Sequence, residues 1–248
     1  MKKLLSILLT PIFFVFFGLT LVVFHPILWV ARFIFGRKAL DKVVTALNFS
    51  LMRVMNILGT RMTFNNFYKL PTDVPVVFIS NHQSMWDIPP MIWKFRKNRP
   101  KFIAKKELAR FIPSISFNLK YGGSVSIDRA NPKDAIQKIK NFAQSIRIRK
   151  QSICIFPEGT RSRDGLIKPF KTSGIEAIIK EIPHAIFVPV VINNTGKIDN
   201  KGKFFKNVGV KVSYSLLPAR NLSLNNLTQQ LEMMRDEMMS VLQPKALA

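Results

Sequence analysis

The spacing of hydrophobic residues changes at Gly59, which divides the chain into two regions. Residues 4–31 contain no Asp, Glu, Lys or Arg, and this stretch exceeds the roughly 20 apolar residues needed to cross a bilayer core. The next segment repeats its apolar residues at helical spacing. We therefore predict a membrane-anchoring helix over residues 4–35 and an amphipathic helix over residues 39–58, followed by a second domain over residues 59–248.

The cations beside the first helix bear on how it meets the membrane. A cleaved signal peptide would be shorter and would end in a small-residue cleavage site, which this stretch lacks. Under the positive-inside rule, the larger cationic cluster after the helix favours a main domain on the cytoplasmic face of an inner or plasma membrane. That cluster is Arg32, Arg37, Lys38 and Lys42.

A helical hairpin that dips into one leaflet explains both N-terminal segments as well as a full crossing does. In either arrangement, removal of residues 1–37 is expected to weaken membrane association more than it damages the fold.

Beyond Gly59, short apolar runs alternate with segments of helical spacing, which predicts an α/β sheet covered by helices. Several runs are continuously apolar, as expected of strands buried on both faces. The predicted strands are Val76–Ser80, Lys101–Ala104, Ser124–Ile127, Ser152–Phe156, Phe187–Ile192 and Val208–Tyr214. The predicted helices are Ile88–Phe95, Pro132–Ile148, Ser173–Lys180 and Leu224–Leu242, and Asn193–Lys206 is predicted to be an exposed loop.

The charge balance predicts an anionic partner. Lys and Arg outnumber Asp and Glu by 38 to 14, for a net charge of +24, which suits nucleic acid, an anionic membrane or a phosphorylated substrate. The aromatic residues lie in apolar segments and are not interleaved with basic ones, which argues against nucleic acid. The single cysteine, Cys154, excludes an internal disulfide and a zinc site built from cysteines, and we predict no metal.

His82 and Asp87 are the candidate catalytic pair. They follow a predicted buried strand, and Pro89-Pro90 suits the first turn of a helix. His82 would then lie at the carboxyl edge of a sheet, where α/β folds bind ligands. Histidine moves protons near neutral pH, and a carboxylate within reach can orient it. The pair suits an enzyme that deprotonates a hydroxyl.

Two alternatives remain open for this segment. Asp87 is also well placed to be only the N-cap of the helix that begins at Ile88. Ser84 could be a nucleophile, although the G-x-S-x-G pattern of the α/β hydrolases is absent.

Two further polar runs follow predicted strands. Phe156 through Arg163 contains a glycine, two hydroxyls and two guanidinium groups, which can bind a phosphate. The run is not a Walker loop, because the G-x-x-x-x-G-K-[ST] pattern is absent. Gly123 through Arg129 is a glycine-started strand that ends in Asp-Arg and places another cation at a strand end.

These runs together resemble the glycerolipid acyltransferases, most closely the bacterial 1-acylglycerol-3-phosphate acyltransferases. The similarity extends over residues 59–214. Four motifs carry it in the order of the family: Asn81-His82-Gln83-Ser84 with Asp87, Gly123 through Arg129, Phe156 through Ser162, and Val188-Pro189-Val190. Ser126 and Thr172-Ser173 depart from the common pattern, which leaves the acyl-chain specificity open.

The resemblance implies a role for each matching position. His82 is implied to be the general base that deprotonates the 2-hydroxyl of lysophosphatidic acid, and Asp87 is implied to orient it. The implied contacts to the acceptor and its phosphate are Arg129, Glu158, Gly159, Thr160, Arg161 and Lys105.

The resemblance also implies a mixed central sheet flanked by helices, and a reaction. A fatty acyl group passes from acyl-CoA or acyl carrier protein to 1-acylglycerol 3-phosphate, giving phosphatidic acid, with no cofactor beyond the acyl donor. The implied partners are these substrates, anionic membrane lipid and acyl carrier protein, and nucleic acid is not expected. The alternatives are a different lysophospholipid or a lyso-aminolipid as acceptor, or a basic membrane-binding protein without catalysis.

Overall fold

Seven strands form one sheet in this computed structural model, which describes residues 2–106, 112–162, 164–200 and 204–242. The strand order across the sheet is β1-β7-β6-β2-β5-β3-β4. The strands are β1 (Arg61–Asn65), β2 (Val76–Ser80), β3 (Pro100–Lys105), β4 (Val125–Ile127), β5 (Ser152–Ile155), β6 (Ile186–Asn193) and β7 (Lys211–Leu216).

The sheet is mixed, which confirms the predicted fold class. β2 pairs in parallel with β5 and β6, and β3 pairs in parallel with β5 and β4. β7 runs antiparallel to β6, and β1 is parallel to β7. The carboxyl ends of β2 to β6 therefore lie along one edge of the sheet, where polar residues after each strand can converge.

Seven α-helices of the described residues accompany the sheet. They are α1 (Lys2–Phe33), α2 (Gly36–Met55), α3 (Ile88–Lys94), α4 (Ile115–Tyr121), α5 (Pro132–Arg149), α6 (Thr172–Glu181) and α7 (Leu227–Leu242). One hydrophobic cluster joins α1, α2 and α3 to one face of the sheet, and a second cluster joins α5, α6 and α7 to the other. The protein is thus a three-layer structure.

The first four residues of the central strand β2 are all apolar because both faces of the strand are buried. Val76 and Phe78 belong to the cluster under α1 to α3, whereas Val77 and Ile79 belong to the cluster under α5 to α7. All four side chains are fully buried. A strand with a hydrophobic layer on both faces has no reason to alternate polar with apolar residues.

The edges of the structure differ most from the prediction. β1 was not predicted, because it is an edge strand whose residues alternate between exposed and half-buried. The last strand begins at Lys211, three residues later than predicted, and α4 was missed because it is only two turns long. Phe156 lies outside β5 and begins the loop that follows.

The two N-terminal helices pack against each other and join at a tight turn after Phe33. Gly36 takes a positive φ of 79°, which favours glycine where the chain reverses into α2. Within the described residues, α1 is the one helix long and apolar enough to cross a membrane, judged by length and composition alone.

One side of α1 is docked on the domain over most of its length. Phe13, Leu21 and Leu28 are buried in the same core as the sheet. Near the start of α1, the Ser6 hydroxyl donates to the backbone carbonyl of Lys206 at 2.6 Å. Towards its end, His25 Nδ1 accepts from the backbone N–H of Ser114 at 3.0 Å. Removal of residues 1–37 would therefore also open this core, and the balance between its effects on the fold and on membrane association stays a prediction.

Candidate active site

His82 and Asp87 meet at the carboxyl end of β2. His82 Nδ1 lies 2.7 Å from Asp87 Oδ2. The Asp87 side chain is fully buried, and the His82 side chain is 14% exposed. A short 3₁₀ helix over Met85–Asp87 turns the chain back towards the strand, which is why two residues five positions apart are in contact.

The pairing determines which imidazole nitrogen is available for chemistry. Asp87 is an acceptor, so Nδ1 of His82 carries the hydrogen that lies between them. The other ring nitrogen, Nε2, keeps its lone pair and can accept a proton from a substrate hydroxyl. The arrangement has the acid–base geometry of a histidine base oriented by a carboxylate.

Asp87 occupies the N-cap position of α3, but its side chain does not cap the helix, which corrects the alternative that it is only a cap. Its side chain makes no capping hydrogen bond to α3. Oδ2 accepts the backbone N–H groups of Gln83 at 2.8 Å and Ser84 at 3.0 Å, and the Thr195 hydroxyl donates to Oδ1. With His82, these donors surround the carboxylate and hold it in one orientation.

Glu158, in the third motif, is hydrogen-bonded to the backbone of the first motif. Oε1 accepts the backbone N–H of His82 at 2.7 Å, and Oε2 accepts that of Lys168 at 3.0 Å. Burial raises the pKa of this carboxyl group, although both backbone bonds and the charges of His82 and Lys168 oppose the shift. Only 4% of Glu158 is exposed, and its carboxylate holds the two motifs together. Its implied contact with the acceptor stays a prediction.

The loop after β5 is joined directly to His82. The Phe156 ring stacks on the imidazole, with 4.1 Å between the ring centroids. The backbone N–H of Ser162 donates to the His82 carbonyl oxygen at 2.7 Å. The Phe156 ring and the Asp87 carboxylate therefore hold the His82 imidazole in position.

The same loop presents exposed polar groups beside the imidazole. Gly159 has a φ of 71°, and a Cβ there would approach the Lys171 side chain at 3.3 Å. Lys168 Nζ donates to the Thr160 hydroxyl and to the Arg161 carbonyl oxygen, both at 3.1 Å. The Arg161 and Thr160 side chains are exposed, so this edge of the sheet offers hydroxyl and cationic groups to a ligand.

The second motif reaches the same edge through Arg129. Its guanidinium donates to the Gly159 carbonyl oxygen. Lys105, at the end of β3, is opposite Ile127 in the register of β3 and β4 and is exposed. Arg129 and Lys105 therefore lie at the edge of the sheet that carries His82.

Ser84 does not have the surroundings of a nucleophile. Its side chain is buried, and its hydroxyl donates to Asp199 Oδ2 at 2.8 Å. Asp199 also accepts from Trp86 Nε1 at 3.3 Å and from Lys206 Nζ at 2.7 Å. Burial opposes the charged form of Asp199, but the hydrogen bonds from Lys206 and Ser84 outweigh it and lower the pKa of this carboxyl group.

Lys206 connects this network to α1. Its backbone N–H donates to the Thr10 hydroxyl at 2.9 Å, while its ammonium group pairs with Asp199. Phe13 and Phe17 of α1 contact the Trp86 ring edge-on, with centroids 5.4 and 5.5 Å apart. The N-terminal helix therefore packs against the turn that carries Asp87.

The segment after β6 was predicted to be an exposed loop, and that prediction is wrong for its first half. Thr195 and Ile198 are fully buried, and Asp199 is in contact with Ser84 and Trp86. Sequence reasoning missed Thr195, although a polar residue after a buried strand is the signal that identified His82. Nothing in the local sequence marks Asp199 or Lys206, because the other residues they contact lie more than 100 positions away along the chain: Ser84, Trp86 and Thr10.

No group of three or more His, Cys, Asp or Glu side chains among the described residues could hold a metal ion. Cys154 is fully buried within β5, and burial, with the nearby charge of Asp87, raises the pKa of its thiol well above the usual value. Its place is in the hydrophobic core.

Comparison with known proteins assigns the family. The Acyltransferase family model matches residues 61–193, which is more than half of the chain. A 1-acyl-sn-glycerol-3-phosphate acyltransferase of Cocos nucifera is 37% identical over 143 residues, covering 57% of this chain and 44% of the relative. The 1-acyl-sn-glycerol-3-phosphate acyltransferase alpha of Homo sapiens is 30% identical over 149 residues, covering 60% of this chain and 51% of the relative.

The fold has a counterpart among solved structures. The crystal structure of the 1-acyl-sn-glycerophosphate (LPA) acyltransferase PlsC from Thermotoga maritima aligns over 100% of both chains, with a TM-score of 0.75 and 22% sequence identity. The chain spans about half the length of the coconut and human relatives. On the match over residues 61–193, the chain belongs to the Acyltransferase family.

Proposed function

We propose that this protein transfers a fatty acyl group from acyl-CoA or acyl carrier protein to the 2-hydroxyl of 1-acylglycerol 3-phosphate, giving phosphatidic acid. The observation that carries the proposal is the 2.7 Å contact between His82 and Asp87 beside a cationic loop. A base, a carboxylate that orients it and a phosphate site are what a phosphorylated hydroxyl acceptor requires. The names of the coconut and human relatives support the acceptor.

In the first step, His82 acts as a general base. Nε2 removes the proton from the acceptor hydroxyl as the oxygen attacks the thioester carbonyl, which forms the new C–O bond of a tetrahedral intermediate. Asp87 stabilises the imidazolium that results, because its carboxylate already accepts from Nδ1. No acyl-enzyme forms, since the acceptor oxygen attacks the thioester directly.

In the second step, the intermediate collapses. The carbonyl reforms, the C–S bond breaks, and the thiol of the donor leaves with the proton that His82 returns from Nε2. The products are the diacylated glycerol phosphate and the free thiol carrier. His82 is neutral again at the end, so the cycle needs no other proton source and no cofactor.

The acceptor phosphate binds at the exposed cations of the same edge. Arg161 and Arg129 present guanidinium groups, which match the oxygens of a phosphate, and Thr160 adds a hydroxyl. Lys105 contributes a further positive charge from the end of β3. Glu158 takes no direct part, because both of its oxygens are bonded to backbone amides.

The apolar N-terminal helix brings the site to its lipid substrates. We place α1 in one leaflet, with its docked side on the domain and its exposed Leu, Ile, Val and Phe side chains among the acyl chains. A helix that crossed the bilayer would leave its docked face and hydrogen bonds without partners. The flanking cations favour the cytoplasmic face.

A substrate panel tests this proposal. Purified full-length protein is incubated with lysophosphatidic acid and with neutral and amine-bearing lysolipids, with acyl-CoA and acyl carrier protein donors in parallel. Selective formation of phosphatidic acid supports the proposal. Preference for another lysolipid would replace the acceptor, and no transfer to any of them would overturn the enzymatic assignment.

A further inference from the structure

A cavity of about 420 Å³ opens between α2, the end of α3 and the beginning of β3. This volume is within the range of small-ligand sites. The cavity lies at Pro100, at the amino end of β3, whereas Lys105 lies at the carboxyl end of the same strand. At about 3.3 Å per residue these two positions are roughly 17 Å apart. The cavity is therefore separate from the site that contains His82.

The charged residues that line the cavity are mostly cations. They are Lys38, Lys42, Arg96, Arg99 and Lys101, with the single carboxylate of Asp41. That carboxylate is already paired, because Lys101 Nζ lies 2.6 Å from Asp41 Oδ1 and Gln151 donates to Oδ2 at 3.4 Å. The other four cations have no carboxylate in the lining to neutralise them.

Two of these cations have no partner within the described chain. Lys38 and Lys42 form no hydrogen bond or ion pair with any described residue. They are one turn apart on α2, where like charges destabilise a helix. An anion in the cavity would turn this repulsion into attraction.

The inner wall of the cavity is positive as well. Lys101 is only 5% exposed, and burial lowers the pKa of its ammonium group, with Asp41 opposing the shift and Arg37 and Arg99 adding to it. The pair of Lys101 with Asp41 thus lies among further cations, which suits an oxyanion.

The surroundings of the cavity favour a lipid headgroup as the source of that anion. Ile34 and Phe35, at the turn before α2, are 65% and 71% exposed and form the apolar tip of the N-terminal helices. Lys38 follows Phe35 by three residues. Val44 and Ile92 also line the cavity and give it an apolar wall, against which the acyl part of a lipid can pack.

We propose that this cavity is a second anion site, which binds a phosphate group without taking part in acyl transfer. The phosphate belongs either to the headgroup of an anionic membrane lipid or to a free phosphate compound, and both share the chemistry that the lysines and arginines recognise. The test of this site measures anion binding and not turnover. Its result therefore does not depend on whether the protein is an acyltransferase.

Two variants of the full-length, detergent-purified protein test the site. Lys38→Gln with Lys42→Gln removes two charges and no hydrogen bond. Thr45→Phe leaves the charge unchanged and fills the cavity, which Thr45 lines. The matched control is Lys97→Gln with Lys133→Gln, which removes the same charge from two exposed positions outside the cavity. Thermal unfolding of each variant verifies the fold.

Binding is measured with inorganic phosphate by calorimetry, and by flotation with vesicles of phosphatidylcholine alone or mixed with phosphatidylglycerol. We expect affinity for the anionic probe to fall about fivefold for each lysine removed, and to fall also in Thr45→Phe, while the control stays near wild type. Loss confined to the mixed vesicles identifies a lipid headgroup, and loss confined to inorganic phosphate identifies a free phosphate.

Unchanged binding of both probes by Thr45→Phe would overturn the proposal, because general surface electrostatics would then account for any effect of the lysines. If Thr45→Phe does not fold, comparison of the cavity pair with the control pair decides between a defined site and general surface electrostatics. Equal loss in the cavity pair and the control pair would then reject a defined site.

Discussion

The hydroxyl of Thr195 donates a hydrogen bond to Oδ1 of Asp87, and both residues are fully buried. The two residues are 108 positions apart, on segments that follow β6 and β2. Oδ2 of the same carboxylate faces His82. Thr195 thus holds one oxygen of the carboxylate while the other oxygen orients the base, which makes Thr195 a positioning residue for His82.

Thr195→Val should lower turnover by roughly tenfold without a matching rise in KM, because it removes a donor to a buried carboxylate at nearly constant volume. The free energy of unfolding should fall by about 1.5–3 kcal/mol, the usual value for a hydrogen bond to a charged group. Steady-state kinetics and denaturant unfolding measure the two effects. Thr195→Ser keeps the hydroxyl and should retain most of the turnover, and an equal loss in both variants would contradict this role.

His82→Ala should reduce acyl transfer by about 10²–10⁴-fold, the range typical of a lost general base. Asp87 keeps its bonds from Gln83, Ser84 and Thr195, so the variant should fold and still bind vesicles. Product formation, together with thermal unfolding and vesicle flotation, tests this expectation. Near-normal turnover in the folded variant would rule out the proposed mechanism.

Arg161→Ala should raise KM for the phosphorylated acceptor by at least about tenfold with little change in kcat, since a charge-assisted contact to the phosphate is lost. Lys97→Ala removes an exposed cation away from the site and should leave both constants unchanged. A reduced kcat at constant KM would instead place Arg161 in contact with the transition state.

Glu158 should leave a pH signature on stability. Burial raises its pKa above the ordinary value of 4.5, so the folded protein holds this proton more tightly than the unfolded chain does. Its contribution is therefore most favourable below pH 4.5 and is lost as the pH rises through the raised pKa. The unfolding free energy of the wild type minus that of Glu158→Gln should therefore fall as the pH rises through that window. If the two curves of unfolding free energy against pH ran parallel, the pKa of Glu158 would be the same in the folded and unfolded states.

The contribution of the exposed face of α1 to membrane binding can be tested with substitutions that leave the core intact. Leu19 and Val23 are 52% and 55% exposed and one turn apart. Changing both to Glu should weaken vesicle binding by about tenfold for each residue, because apolar contact with lipid is lost, while thermal unfolding stays near wild type. Ile148→Glu changes an apolar residue that is 78% exposed on α5, and it should leave vesicle binding intact. Equal loss in both variants would exclude α1 as the specific contact.

The sequence was most informative where one strand or one turn decides the structure. The continuous apolar runs predicted β2, β5 and β6, and polar residues after strands located His82 and the loop that contains Arg161. Contacts between distant segments could not be predicted in this way. Thr195 and Asp199 are recognised only when β6 is placed beside β2. The hydrogen bond from the His82 N–H to Glu158 likewise depends on packing between distant segments.

The docking of α1 also determines how the protein meets its substrates. Since one side of the helix is bonded to the domain at Ser6, Thr10 and His25, its exposed apolar side and the carboxyl edge of the sheet keep a constant angle. With α1 in one leaflet, as proposed above, every copy of the protein would present His82 to the bilayer in the same pose. The encounter with an acceptor would then be a search in two dimensions, governed by the acceptor's surface density and not by its concentration in solution.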